Sequence, residues 1–279
     1  MKNKKKINSI VFYTVLILFM AAILFPFFIM LMVSLKPSAE AIQYPPTIFP
    51  KHITTEHIRD IFNPKIFPFR SYFSNSISIA LISAAVSVVA GIFGGYSLSK
   101  LRFMGRTTIN QSFYFVYMFS GILLVVPLFK IISSLGLTNT RTALIITMVV
   151  QTLPTCVFML KSYFDTIPPE IEEAGTVDGL NKVQIVYKII VPLSISGIVS
   201  VFVYAFMIAW NDYLFASTLL SSSDLFTLPI GLNTLFSTPD YVWGRMMAAS
   251  LFTSLPIIVL YALSERFIKS GSTEGGVKG

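Results

Sequence analysis

The sequence predicts an all-α membrane protein with six transmembrane helices, and three observations carry that expectation. The first is composition: 54% of the 279 residues are hydrophobic and 12% charged, with a mean hydropathy of +0.74. Soluble domains carry about a quarter charged residues. The second is spacing. Six stretches contain no Lys, Arg, Asp or Glu, namely 7–35, 71–99, 107–129, 142–160, 189–211 and 246–264, each of 19 to 29 residues. A helix needs about 20 residues to cross about 30 Å of hydrocarbon. The third is the basic charge. With the Lys-rich start in the cytoplasm, 13 of 21 Lys and Arg fall inside, and 5 of the 8 outside ones sit in the long first loop, where the positive-inside bias counts less. Both termini are then cytoplasmic. The net charge of +8 is therefore a topology signal scattered over loops, which argues against a nucleic-acid surface.

In order along the chain, 1–9 reads as the cytoplasmic N-terminus and 10–33 as the first span, kinked at Pro26. Small residues at Ala39 and Ala41 raise the question of a cleaved leader. The apolar run is about twice the roughly 7 to 15 residues such leaders carry, which favours a retained anchor. The outer loop 34–70 holds six prolines, leaving room only for a short surface helix near 55–62. His52 and His57 lie in that loop without the Cys or carboxylate company of a metal site, and read as solvated.

The core, 71–279, opens with a span at about 74–98. There Ser83, Ser87, Gly91 and Gly95 recur every four residues and form a stripe that lets a neighbouring membrane helix approach closely. Further spans are expected at about 109–130 and 142–160. Cys156 lies in the latter, has no second Cys to pair with, and reads as a small core residue. Pro127, Pro154 and Pro256, like Pro26, interrupt helix hydrogen bonds within apolar windows. Such kinks either serve a rocking motion or reflect the tolerance of membrane helices for proline.

The segment 165–192 is the polar interruption between two apolar windows. Pro168 and Pro169 suit a helix start, and Glu170, Glu172 and Glu173 favour its positive end. Ala174 and Gly175 leave one side nearly bare, so a partner surface could approach the backbone. Gly179 permits a turn with positive φ. Val183, Val186, Tyr187 and Ile190 then recur at helical spacing, which predicts a second, amphipathic helix ended by Pro192. Beyond it come a span at about 193–215, an outer loop 217–244, a span at about 246–265 and a cytoplasmic tail 266–279. The short charge-free stretch 225–239 contains Pro229, Gly231 and Pro239 and reads as loop.

Glu173-Ala174-Gly175, then Gly179, then Ile189 and Val191-Pro192 have the spacing of the signature loop of binding-protein-dependent ABC importer permeases, which this chain resembles. Gly175 stands for the family's second Ala and Val191 for its Leu, and both keep the character of the position. The resemblance extends to the carbohydrate-uptake branch through Asn75-Ser76, Gly95-Tyr96-Ser97-Leu98, Phe103-Met104-Gly105-Arg106, Leu135-Gly136-Leu137-Thr138-Asn139-Thr140 with Ala143-Leu144-Ile145, and Trp210-Asn211-Asp212. The terminal Gly276-Val277-Lys278-Gly279 looks like the tail of the maltose-type subunit, which reaches between the ATPases, although a disordered polar tail would look the same.

The resemblance implies a type I ABC importer permease fold with a cytoplasmic coupling helix at a prokaryotic cell membrane. Its ATPase-coupling residues would be Glu172, Glu173, Ala174, Gly175, Asp178 and Gly179. Glu173 would be the charged contact, Ala174 and Gly175 would allow close seating, and Gly179 would shape the elbow. Implied partners are a second permease subunit, two copies of a cytoplasmic ATPase that carry ATP and Mg, and an extracytoplasmic sugar-binding protein facing the outer loop 217–244.

The sequence holds no G-x-x-x-x-G-K-[ST] phosphate loop, G-x-S-x-G elbow, H-E-x-x-H or paired Cys motif, so no catalytic residue, metal or resident cofactor is expected. Gln151, Tyr204, Trp210 and Asn211 are candidates for a weakly binding sugar pathway, with Asp212 at the outer interface. Hydrogen bonding between helices is the other use of such groups. An ATP-independent secondary transporter would want mid-membrane carboxylates, which the windows lack. An importer for a solute other than sugar stays open.

Overall fold

The computed structural model describes residues 2–117, 121–236 and 242–273. The described residues are helices and their connections, with no strand among them. In order the helices are α1 (Lys2–Ser34), α2 (Ser38–Ala41), α3 (Glu56–Ile61), α4 (Phe69–Lys100), α5 (Arg106–Tyr117), α6 (Gly121–Ser134), α7 (Arg141–Asp165), α8 (Pro169–Val177) and α9 (Lys182–Ile185). After a π turn at Val186–Ile190 come α10 (Val191–Leu193), α11 (Ile195–Trp210), α12 (Leu214–Leu219), a 3₁₀ turn at Ser223–Leu225, α13 (Leu228–Phe236) and α14 (Trp243–Thr273). Four are long and apolar enough to cross a membrane: Asn8–Ser34 within α1, α4, α7, and Trp243–Phe267 within α14.

The chain divides into two units, the first comprising Met1–Arg70 with Gly231–Leu255. Within it the apolar side chains of α1 from Ile10 to Phe28 are largely exposed, as a lipid-facing helix requires. Phe62, Phe69 and Phe252 form an edge-to-face cluster with centroids 5.2–6.0 Å apart. Arg245 pairs with Asp60 at 2.7 Å. His57 corrects the sequence reading: it is 1% exposed and its Nε2 lies 2.9 Å from the Lys36 carbonyl. Its ring fits only because Gly244 has no side chain, since a Cβ there would lie 2.1 Å from it.

The second unit comprises Ser71–Ile230 with Pro256–Gly279, and α7 is its centre. The predicted small-residue stripe of α4 packs on α7. A Cβ at Gly91 would touch Cys156 and Leu160 at 3.2 Å, and one at Gly95 would lie 2.9 Å from the Lys161 backbone nitrogen. Higher on the same face Ser87 and Thr152 share a hydrogen bond of 2.7 Å. On another side of α7, the Tyr163 ring sits where a side chain at Gly197 of α11 would be. Two helices are thus seated on α7 through missing side chains, the close approach that membrane helices use in place of hydrophobic drive.

Three windows differ from the expected spans. The one at 109–130 is carried by α5 and α6, with 118–120 outside the described residues. The 14 residues of α6 rise about 21 Å, short of the hydrocarbon thickness. The fifth window bends: Lys182–Leu193 meets Ile195–Trp210 at 86°, so α11 begins at Ile195 and the expected span 193–215 ends early at Trp210. In the connection between α12 and α14, α13 forms where loop was expected. Pro229 is the second residue of that helix, where its missing N–H has no intrahelical partner to lose.

The remaining connections of the second unit are tied by side chains. Asn75 Nδ2 donates to the Asp224 and Phe226 carbonyls, both at 2.9 Å, and Ser76 Oγ accepts from the Leu228 N–H at 2.8 Å. Asn139, at φ +57, accepts from the Ser221 and Ser222 N–H groups at 2.9 and 3.0 Å and donates to Ser222 Oγ at 2.7 Å.

Candidate coupling site

Helix α8 starts where two prolines dictate. Pro168 caps it with φ −57, Pro169 is the first helical residue, and Glu170 and Glu172 stand in the first turn. At the other end Gly179 adopts φ +81, and the Leu180 N–H reaches back to the Gly175 carbonyl at 3.0 Å. That is the left-handed glycine cap that closes helices. Asn181 and Gln184 then form a reciprocal capping box that starts α9. The elbow is therefore fixed at both sides by local hydrogen bonding.

The second helix is not the simple amphipath the spacing predicts. Ile185, Val186 and Ile190 are buried, at most 3% exposed, whereas Val183 and Tyr187 stand 58% and 53% exposed. A π turn at Val186–Ile190 rotates the register, because Pro192 has no N–H for the Lys188 carbonyl and the backbone widens ahead of its ring. The break comes at Ser194, two residues after Pro192, and the Ser194 N–H donates to the Ile190 and Val191 carbonyls.

The six residues expected to meet an ATPase divide into two sets. Glu173, Ala174, Asp178 and Gly179 are exposed, as are Glu170 and Val177 beside them, the last at 87%. Gly175 is buried, and a Cβ there would lie 2.6 Å from Ile189 Cδ1. Its bareness seats the second helix of the loop rather than a partner. Glu172, 8% exposed, also points inward. Tyr96 Oη donates to Glu172 Oε2 at 3.1 Å, and Lys100 Nζ lies 3.5 Å from Glu172 Oε1. Glu172 and Gly175 are three residues apart, so helical spacing puts them together on the face turned toward the rest of the chain.

The same ammonium donates to the Ile167 carbonyl at 2.5 Å. Beside it Ser99 Oγ donates to Asp165 at 2.6 Å, and Lys161 pairs with Asp165 at 2.7 Å. Arg106 closes the end of α4 by donating to the Leu98 and Ser99 carbonyls at 2.8 and 2.9 Å. The Lys100 and Glu172 side chains are each 11% exposed, and stripping one partner from such a buried pair costs about 3–5 kcal/mol. Sequence reasoning did not place Tyr96 and Lys100 against Glu172. The available signal was a lysine ending a span beside a loop rich in Glu.

The four pathway candidates do not form one polar surface. Gln151 lies in α7, with its Nε2 2.8 Å from where a Cβ of Gly121 would be and its Oε1 buried without a partner. Tyr204 is half-buried in α11. Trp210 is 1% exposed, stacked on Phe206 at 5.6 Å and edge-on to Phe73 at 5.7 Å, so it is core rather than an open aromatic face. Asn211 is exposed and turns its amide back to the Met207 carbonyl at 2.9 Å. Asp212 accepts from the Ala216 and Phe215 N–H groups at 2.9 and 3.4 Å, capping α12. A cavity of about 240 Å³ opens among α4, α11 and α14, lined by Val88, Phe202, Leu260 and their apolar neighbours. It offers no hydrogen bonds to a hydroxylated solute. The tail motif Gly276–Gly279 lies outside the described residues.

Residues 87–270 match the family described as binding-protein-dependent transport system inner membrane component. Over 277 residues, 99% of each chain, the sequence is 66% identical to the inner membrane ABC transporter permease protein YcjP of Escherichia coli (strain K12). It is 33% identical over 256 residues to the sulfoquinovosyl glycerol transport system permease protein SmoH of Agrobacterium fabrum (strain C58), covering 92% of this chain and 89% of that one. In fold it is similar to a chain from the crystal structure of a bacterial ABC transporter involved in the import of the acidic polysaccharide alginate. The TM-score there is 0.79 over 95% of this chain and 97% of that chain, at 22% identity.

Proposed function

Because the chain belongs to the family of binding-protein-dependent transport system inner membrane components, we propose that it is the transmembrane permease subunit of an ABC importer taking up a carbohydrate. The solute would arrive on an extracytoplasmic binding protein and cross between this subunit and a second permease. Alternating access would be driven by two ATPase subunits, which hold the ATP and Mg while this chain holds neither. The sugar class is supported by the sulfoquinovosyl glycerol permease among its relatives. The sequence has no nucleotide-binding loop of its own, consistent with a mechanical subunit.

One observation carries the coupling role: α8 presents Glu173, Ala174, Val177, Asp178 and Gly179 outward from a base fixed by buried polar contacts. An exposed acidic and small-residue helix on a stiff mount is what a docking lever needs. With that face and both termini in the cytoplasm, ATP-driven closure of the ATPases would move α8 and shift the bundle between inward- and outward-facing states. Of the pathway candidates, Gln151 Oε1 and Trp210 Nε1 are both buried without a hydrogen-bond partner, and polar groups left open within a membrane mark functional positions.

The test is Glu173→Lys and Gly179→Val in the membrane. Gly179 has open space around it, so valine there strains the backbone by about 1–2 kcal/mol through its positive φ without an internal clash. Expected is loss of sugar uptake and of ATPase retention with normal permease levels in the membrane. Full uptake by both variants would contradict the role.

A further inference from the structure

Helix α8 is joined covalently toward α7 and toward α11, and it also touches the end of α4. Toward α7 it connects through Thr166, Ile167 and Pro168. Toward α11 the path is indirect, running through the Gly179 elbow, the π turn and the 86° bend at Ser194. Toward α4 the path is direct. Tyr96 and Lys100, one turn apart on α4, both face Glu172 of α8, Tyr96 through a hydrogen bond and Lys100 as an ion pair at 3.5 Å that leaves Oε1 without a hydrogen bond, and Lys100 donates to the Ile167 carbonyl just before that helix.

These contacts are sheltered from water, with Glu172 8% exposed and Tyr96 3%, so they keep a geometry that exposed pairs lose to solvent. The neighbouring Ser99–Asp165–Lys161 link between α4 and α7 is wetter, the Asp165 side chain being 43% exposed. Along the α4–α7 seam itself Gly91, Gly94 and Gly95 present no side chains, so α7 lies directly against the α4 backbone there.

From this juxtaposition we infer that Lys100 and Tyr96 are positioning residues that latch α8 to the end of α4 through Glu172, so that a displacement of α8 is delivered to α4 directly. The inference rests on the coupling role proposed for α8 and assigns the helix that role drives first. It also separates two neighbouring acids: Glu173 faces outward, and Glu172 holds the mount.

The test uses the complex of this chain with its partner permease and ATPases, reconstituted in lipid, with ATP and Mg²⁺ as the probe. Spin labels at Ile82→Cys on α4 and, separately, Ile195→Cys on α11 occupy exposed positions and report nucleotide-driven displacement. In Lys100→Met the nucleotide-dependent signal at α4 should fall about tenfold, a size typical of coupling between sites, while ATP hydrolysis and the α11 signal persist. Tyr96→Phe, which removes only the hydroxyl, should show a smaller loss of the same kind, and Lys100→Arg should retain the signal.

A wild-type α4 response in both Lys100→Met and Tyr96→Phe overturns the latch. So does simultaneous loss of hydrolysis and of both signals, because a merely structural defect would abolish them together. A parallel Glu173→Lys control reads the docking step separately. ATPases retained in that control would count against the docking role, whatever α4 does.

Discussion

Glycines at three positions do three different jobs, and the structure ranks their tolerance. At Gly95 an added Cβ meets backbone, the Lys161 nitrogen at 2.9 Å and the Val157 oxygen at 3.2 Å, so α4 and α7 must part. Gly95→Ala should destabilise the protein by about 1–3 kcal/mol, the usual cost of overpacking, and thermal unfolding in detergent would register it. At Gly175 the obstacle is the far end of the Ile189 side chain, which can rotate away, so Gly175→Ala should unfold at nearly the wild-type temperature. Gly179 has nothing within 4 Å and is required only for its φ of +81. From the sequence Gly179 already read as a turn with positive φ, whereas Gly95 and Gly175 read as small residues of the stripe and of the signature loop. What each one faces depended on neighbours remote in the chain.

Helices and their connections were legible in proportion to how local their causes are. The long apolar windows stood out by length, and α8 announced itself through its prolines and its Glu-rich first turn. The bend at Ser194 did not, because the charge-free stretch 189–211 runs straight through it; only Pro192 hinted at a break, two residues early. Likewise α13 was hidden by Pro229, a residue that ends helices in mid-course but is harmless at their start. His57 looked solvated because its cover, Gly244, lies on a different helix. Asn139 is the clearest case of an element held by one side chain, its amide serving Ser221 and Ser222 together. Asn139→Ala leaves two N–H groups without that acceptor and should cost about 1–3 kcal/mol. Hydrogen exchange should speed up at residues 219–222 and stay unchanged in the middle of α7. Equal acceleration in both would mean that the clamp supports the whole unit rather than the loop.

For the whole molecule the central claim is mechanical: an embedded helical protein with no nucleotide site is moved from the cytoplasm by a motor that grips α8. In that proposal the buried Tyr96–Glu172–Lys100 contacts and the exposed Glu173, Ala174, Val177, Asp178 and Gly179 would be the two ends of the transmission. Sidedness is the property on which everything else depends, and Val177, 87% exposed on α8, is placed to report it. The only native thiol, Cys156, is buried, so a single Val177→Cys substitution gives a clean signal with a membrane-impermeant maleimide. The account predicts labelling in inverted vesicles, none in right-side-out vesicles, and protection when the ATPase subunits are bound. Labelling from the outer face, or labelling that bound ATPase leaves undiminished, would contradict it.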